Sequence, residues 1–396
     1  MYPLPAVLVN CADPAHESVR SALADNAVTV AAEFATAGDL LARWTSPPDA
    51  NRRLLVVTLR SLDEVKEVAR MEACFPGWPL LALVEGDCDT AGLFHVNRAG
   101  ASQLVPFPFQ RPDFDAALDR LLIQFGLRAT PCRVIAVSGV VEGCGATSVS
   151  VGLATELAAV GGVPCVLTEL TFGLGRLAGL LNLTPTATTR DLLNGPDEPN
   201  LGNVQAALTH AGDHLAVLSG QVAGLEPIAA PAGRLTQLLR QLRHSAAFVV
   251  VDLPYTFDPH YFEVMAAADE VLLVVRQDVP AIQAAKMLMQ TLAERGLPAP
   301  KLVVNRYDRD HASLDAEAVG ERLRCKAVYP VAPDSTGHRA AADAGRPLRE
   351  VVPASPTVQD LRAVAAGLLE SAGIHPHLPR RTLWDRARTF LTRMTN

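Results

Sequence analysis

The chain has 396 residues, 49% of them hydrophobic and 19% charged, with a formal net charge of −7. This composition excludes a disordered polypeptide, and the acidic balance excludes a domain-wide basic field for nucleic acid or an anionic membrane. Two or three domains with sizeable cores are expected from the length.

Seven cysteines, Cys11, Cys74, Cys88, Cys132, Cys144, Cys165 and Cys325, show no C-x-x-C spacing, which suggests reduced thiols rather than a zinc site or a disulfide framework. The N-terminus, MYPLPAVLVNCADP, has no basic region followed by an apolar core, and no apolar run approaches the roughly 18 residues of a membrane span. A cytoplasmic protein is expected.

Residues 1–127 alternate short apolar runs (AVLVN, RLLVVTL, PLLALVE) with amphipathic segments (SVRSALAD, SLDEVKEVARME, DFDAALDRLLIQF). That alternation predicts a parallel sheet with crossover helices. Residues 128–132, centred on Pro131, read as a linker. A second alternation fills residues 133–373: RVIAV, PCVLTEL, HLAVLSG, FVVVDLP, EVLLVVR, KLVVNR and AVYPVAP. It too predicts a doubly wound α/β domain.

Residues 374–396 form a tail in which Leu383, Trp384, Ala387, Phe390, Leu391 and Met394 fall on one helical stripe. Arg380, Arg381, Arg386, Arg388 and Arg393 oppose it, against Asp385 alone. A basic amphipathic segment over Arg380–Met394 suits a peripheral membrane contact, and equally a partner or the protein's own core.

The chemistry concentrates at residues 138–148, SGVVEGCGATS, which follow an apolar run and precede a helical pattern. Gly143, Cys144, Gly145, Ala146, Thr147 and Ser148 there have the makings of a phosphate loop, in which main-chain amides face an anion at a helix N-terminus and a hydroxyl holds magnesium. The bland alternative is a strand-to-helix turn.

The loop resembles the K-G-G-x-G-K-[ST] motif of the ParA/MinD ATPase superfamily. Val141 stands at the first lysine, Glu142 at a glycine, and Ala146 at the second lysine. Downstream matches extend the resemblance. FVVVDLP places Asp252 at the Walker B aspartate, and PCVLTEL places Glu169 at the second acid of the family's switch segment. KLVVNR supplies Asn305 and Arg306 where the superfamily meets the adenine edge, and VAPD supplies Pro333 and Asp334 near base or ribose. The resemblance implies ATP, with Mg²⁺ held by Thr147 and Asp252. Glu169 and Asp252 are its degenerate catalytic pair. Loss of both lysines implies weak or absent hydrolysis, because the phosphoryl charge loses its largest protein counter-charge.

GASQLVPFPF at 100–109 resembles the end of a response-regulator receiver domain, matching at Gly100, Ala101, Pro108 and Phe109. Phe107 replaces its lysine and Thr58 its phosphoacceptor aspartate, with Asn10 and Asp13 in place of the acidic pair. Residues 1–127 are therefore expected to form a flavodoxin-like pseudo-receiver.

Pseudo-receiver followed by ParA/MinD-type domain is the order of the CpaE/TadZ proteins of Flp (tight-adherence) pilus assembly, which the chain resembles best. That resemblance implies a homodimer and recruitment of the pilus secretion ATPase and inner-membrane platform proteins to a cell pole; the lack of basic clusters outside the tail leads to the expectation of no specific nucleic acid. Other readings are an active ParA/MinD-type positioning ATPase working by an ATP-driven dimer switch, a receiver-type signalling adaptor, and a dethiobiotin-type synthetase.

Overall fold

Runs of β-branched and leucine residues too apolar for a solvated face become central parallel strands, and helices cover them on both sides. The computed structural model describes residues 4–11, 16–26, 28–48, 52–86, 90–125, 132–170, 175–196, 198–220, 233–310 and 314–377. The tail stripe from Leu383 to Met394, the linker residues before Cys132, and Asp13 lie outside them.

In chain order the first part contains β1 (Leu4–Val9), α1 (Glu17–Asp25), β2 (Val28–Phe34), α2 (Ala37–Arg43) and β3 (Leu54–Leu59). It continues with α3 (Val65–Cys74), β4 (Leu80–Glu85), α4 (Thr90–Arg98), β5 (Gln103–Phe107) and α5 (Arg111–Gln124). The strands form one parallel sheet in the order β2-β1-β3-β4-β5, a doubly wound arrangement. Every residue of β3 is buried, as its run LLVVTL requires.

The second part begins with β6 (Arg133–Gly139), α6 (Ala146–Gly161), β7 (Cys165–Glu169), α7 (Leu177–Leu180), α8 (Thr189–Asn194), α9 (Leu201–Ala207), β8 (Thr209–His210) and β9 (Leu215–Leu218). Then come α10 (Arg234–Arg243), β10 (Phe248–Leu253), α11 (Pro259–Ala267), β11 (Glu270–Arg276), α12 (Val279–Glu294) and β12 (Lys301–Asn305). The last elements are α13 (Ala316–Leu323), β13 (Val328–Val331), α14 (Ser335–Ala344), α15 (Leu348–Val351) and α16 (Pro356–Ser371).

Their sheet has eight strands in the order β13-β12-β11-β6-β10-β7-β9-β8, parallel except for the β8–β9 pair. The crossover leaving β6 reaches β7 on one side, whereas that leaving β10 reaches β11 on the other. The carboxyl ends of β6 and β10 thus bracket a topological switch point, where open α/β sheets bind ligands. Helix α6 packs closely on α16 because Gly152 and Gly161 carry no side chain: a Cβ on either would collide with Leu361 or Leu369.

The chain divides into two compact units, but not along a single cut. The first comprises Met1–Cys132 together with Gly195–Ala206 and Ala230–Ala247; the rest belongs to the second. The cause is visible in α10. Gln237 Nε2 donates to Asp25 Oδ1 at 3.2 Å, Arg240 pairs with Asp25 Oδ2 at 3.5 Å, and the ring of His244 lies 2.9 Å from the Asp25 carbonyl. Sequence alone puts α10 in residues 133–373; the C-terminal end of α1 is where it anchors. Among the described residues no helix is long and apolar enough to cross a membrane.

Candidate functional site: a phosphate-loop cradle

Strand β6 is buried beyond Arg133, and the chain leaves it in a tight loop that re-enters as α6. Gly143 (φ 72°) and Gly145 (φ 91°) both occupy the left-handed region that favours glycine. Gly145 is also fixed by what lies against it. A Cβ there would strike the Asn305 amide, whose Nδ2 donates to the Cys144 carbonyl at 2.8 Å. Asn305 Oδ1 in turn accepts from the Arg306 N–H at 2.9 Å, and Arg306 itself has φ 54°. One side chain at the end of β12 therefore clasps the loop at the end of β6.

Beneath the loop lies Cys144, buried against Gly139, where a Cβ would collide with its sulfur. Burial pushes the Cys144 thiol above its ordinary range, so it packs as a neutral side chain rather than a nucleophile. Helix α6 has no side-chain N-cap and no acidic residue in its first turn. Its leading amides, with Thr147 and Ser148 among them, keep the hydrogen-bonding capacity that suits an anion. Glu142 is exposed, and Val141 and Ala146 carry no charge.

Asp252 is the penultimate residue of the buried strand β10, in register with Val137 on β6 and with Glu169 on β7. It is 7% exposed and accepts from Ser150 Oγ at 2.9 Å. Burial pushes its carboxyl up to about 6; hydrogen bonds from Thr147 and Ser150 oppose that rise, the Glu169 charge adds to it, and the Arg176 charge opposes it. Thr147, Ser150 and Asp252 thus bring oxygen ligands of the kind magnesium takes to the mouth of the loop.

Glu169 is 3% exposed and fully engaged by main chain. Its Oε1 accepts from the Leu177 N–H at 3.1 Å and the Gly220 N–H at 2.9 Å, and its Oε2 from the Arg176 N–H at 2.8 Å. The carboxylate organises the entry to α7.

Asp334 caps α14, accepting from the Gly337 N–H at 2.8 Å; the Ser355 hydroxyl and that amide hold its carboxyl below the usual range. Pro333 precedes it, exposed, just beyond β13. Next to them a cavity of about 160 Å³ runs along α6, with Ser148, Val151, Gly152, His338, Ala341 and Leu361 among its walls. The Arg306 charge reaches His338, which ties the β12 end to this side of the site.

The structure therefore brings Gly143–Ser148, Glu169, Asp252 and Asn305 to one carboxyl edge, with Arg306 following and Pro333 and Asp334 on the flank. Sequence reasoning missed Ser150, Arg176 and His338. Ser150 was findable, since it lies three residues after Thr147 on the same helix face. Arg176 and His338 carry no motif.

No protein-family model matches the chain. Among solved structures, it is similar to a ParA family ATPase from Chlorobium tepidum TLS (16% identity, TM-score 0.55), over 60% of this chain and 98% of that one. It is similar also to the septum site-determining protein MinD of Pyrococcus horikoshii OT3, solved with Mg-ADP (20% identity, TM-score 0.55), over 61% and 98%. Over that share the chain has the ParA/MinD fold. An uncharacterised ATP-binding protein of Methanocaldococcus jannaschii is 24% identical over 236 residues, 59% of this chain and 87% of that protein.

The five-stranded sheet has its own polar cluster at the carboxyl edge of its strands. Thr58, fully buried at the end of β3, lies 3.2 Å from Cys11 Sγ and 3.0 Å from His16 Nε2. His16 stacks on Phe107 with ring centroids 4.7 Å apart. Thr58 is thus roofed over by side chains, and a phosphoryl donor has no path to its hydroxyl.

Proposed function

We propose that the chain is a localisation factor for Flp-type pilus assembly, in which a ParA/MinD-type domain binds ATP with Mg²⁺ and hydrolyses it weakly or not at all. The observation that carries this reading is a cradle complete in main chain and devoid of cationic side chains: Gly143 and Gly145 hold the left-handed turns, α6 presents uncapped amides, and valine and alanine stand at the two lysine positions.

The residues present fit magnesium and a polyphosphate. Gly143 faces open space, with nothing within 4 Å of where a Cβ would stand, so backbone can approach a ligand there. Thr147 and Asp252 would hold the metal, with Ser150 fixing the carboxylate. Bound Mg²⁺ would neutralise phosphate charge and favour the ionised form of the Asp252 carboxyl. Loop amides from Gly143 to Ser148 would bind the phosphates, and the cavity beside Ser148 and His338 would seat the nucleoside, near Arg306, Pro333 and Asp334. Asn305 would act by holding the loop. Glu169, tied to three amides, would position α7 rather than activate water.

In this reading residues 1–127 form a pseudo-receiver that serves as a docking surface, since Thr58 cannot be phosphorylated where it lies. Residues 133–373 are the nucleotide domain, and residues 374–396 dock at the inner membrane or on the secretion machinery. ATP stabilises a homodimer that recruits the pilus secretion ATPase and platform proteins. Phosphate release from MgATP, measured beside a lysine-bearing ATPase of this fold, is the test. Turnover at the background rate is expected, together with loss of polar foci of a fluorescent fusion when residues 379–396 are deleted. Brisk turnover would overturn the reading in favour of an active positioning ATPase.

A further inference from the structure

The cradle lacks both lysines, yet an arginine stands beside it. Arg176 is the residue immediately before α7. Its main-chain N–H is fixed on Glu169 Oε2 at 2.8 Å, and Glu169 lies directly across from Asp252 on the neighbouring strand. Arg176 is therefore held one residue away from the carboxylate at the mouth of the loop. Its side chain is exposed, and its guanidinium has no hydrogen bond or ion pair among the described residues. Arg306, by contrast, lies at the end of β12 and acts on His338, on the nucleoside side.

From this placement we infer that Arg176 supplies in trans of the loop the positive charge that Val141 and Ala146 do not, pairing with the outer phosphates of a bound nucleoside triphosphate. The inference rests on the nucleotide-binding reading above. An arginine suits the task, because its planar fork pairs two phosphate oxygens at once and stays charged at any physiological pH. Its anchoring matters as much as its charge. Glu169 fixes the backbone on either side of the Cα, so the side chain swings from a set point rather than from a loose loop. Glu169 thus has a use here that does not involve water.

The test is titration of the full-length protein with MgATP and, separately, with AMP, for the wild type and for Arg176→Ala, Arg176→Lys and Arg306→Ala. Arg176→Ala should weaken MgATP binding by about tenfold, the value of one charge-assisted contact in a half-exposed site. Arg176→Lys should recover most of that loss. AMP affinity should not move with either Arg176 variant, because AMP ends at its first phosphate, and the salt dependence of MgATP binding should flatten in Arg176→Ala. A merely structural role would lower AMP and MgATP affinity together. If the wild type binds MgATP and Arg176→Ala binds it equally well, or if AMP falls in parallel, the inference is overturned and the nucleotide reading stands. If the wild type gives no MgATP signal, the nucleotide reading falls and takes the inference with it.

Discussion

Replacing Asp252 by asparagine should stabilise the ligand-free protein. Asp252 is buried at the end of β10, and its carboxyl is pushed from 3.8 up to about 6, mainly by desolvation. The native state therefore holds a proton that the unfolded chain releases between those two values. In that window the folded form binds more protons, so stability falls as pH rises through it and levels off above the folded value. Integrating the two titrations gives a penalty that grows from under about 1 kcal/mol at pH 4 to about 3 kcal/mol at pH 7. Asparagine keeps the shape and can still accept from Ser150 Oγ, which donates at 2.9 Å, but never ionises. Urea denaturation followed by circular dichroism should show Asp252→Asn more stable than wild type by about 2–3 kcal/mol at pH 7, the gap closing towards pH 4. A variant less stable than wild type at pH 7, or a gap that does not change between pH 4 and pH 7, would refute the reasoning.

Other outcomes follow from the same geometry. Gly145→Ala forces an alanine into φ 91° and against Asn305; it should cost about 1–2 kcal/mol from the backbone alone and abolish nucleotide binding, read by denaturation and calorimetry. Glu156, 1% exposed on α6, accepts from Arg349 Nη1 at 2.6 Å and Arg362 Nε at 2.9 Å. Glu156→Leu, which strands two half-buried guanidinium groups, should cost about 3 kcal/mol in the same melts. Acetyl phosphate should leave no label on the wild type, and Thr58→Ala should not alter that blank result, by mass spectrometry.

Much of the architecture was readable because parallel strands buried on both faces must be written in valine, isoleucine and leucine, and RVIAV and FVVVDLP are such runs. The loop was readable for a related reason: the left-handed turns at residues 143 and 145 favour glycine, so the backbone requirement shows in the letters. What those letters could not show is how side chains share a position. Asn305 was read as a base contact, yet its amide is spent on the Cys144 carbonyl. Glu169 was read as half of a catalytic pair, yet three main-chain amides surround it. The allegiance of α10 was equally hidden, because it depends on Asp25, more than two hundred residues earlier, and no local pattern encodes so distant a partner. Likewise the roof of His16 and Phe107 over Thr58 exists only once three strand ends meet.

The central claim is that a main-chain cradle still binds nucleotide after losing its lysines. Calorimetric titration of the full-length protein with ATP in the presence of Mg²⁺ tests it most directly. Saturable heat with a dissociation constant well below about 1 mM, lost in Gly145→Ala, is the predicted result. Absence of heat up to millimolar ATP would contradict it and leave the fold as a scaffold without a ligand.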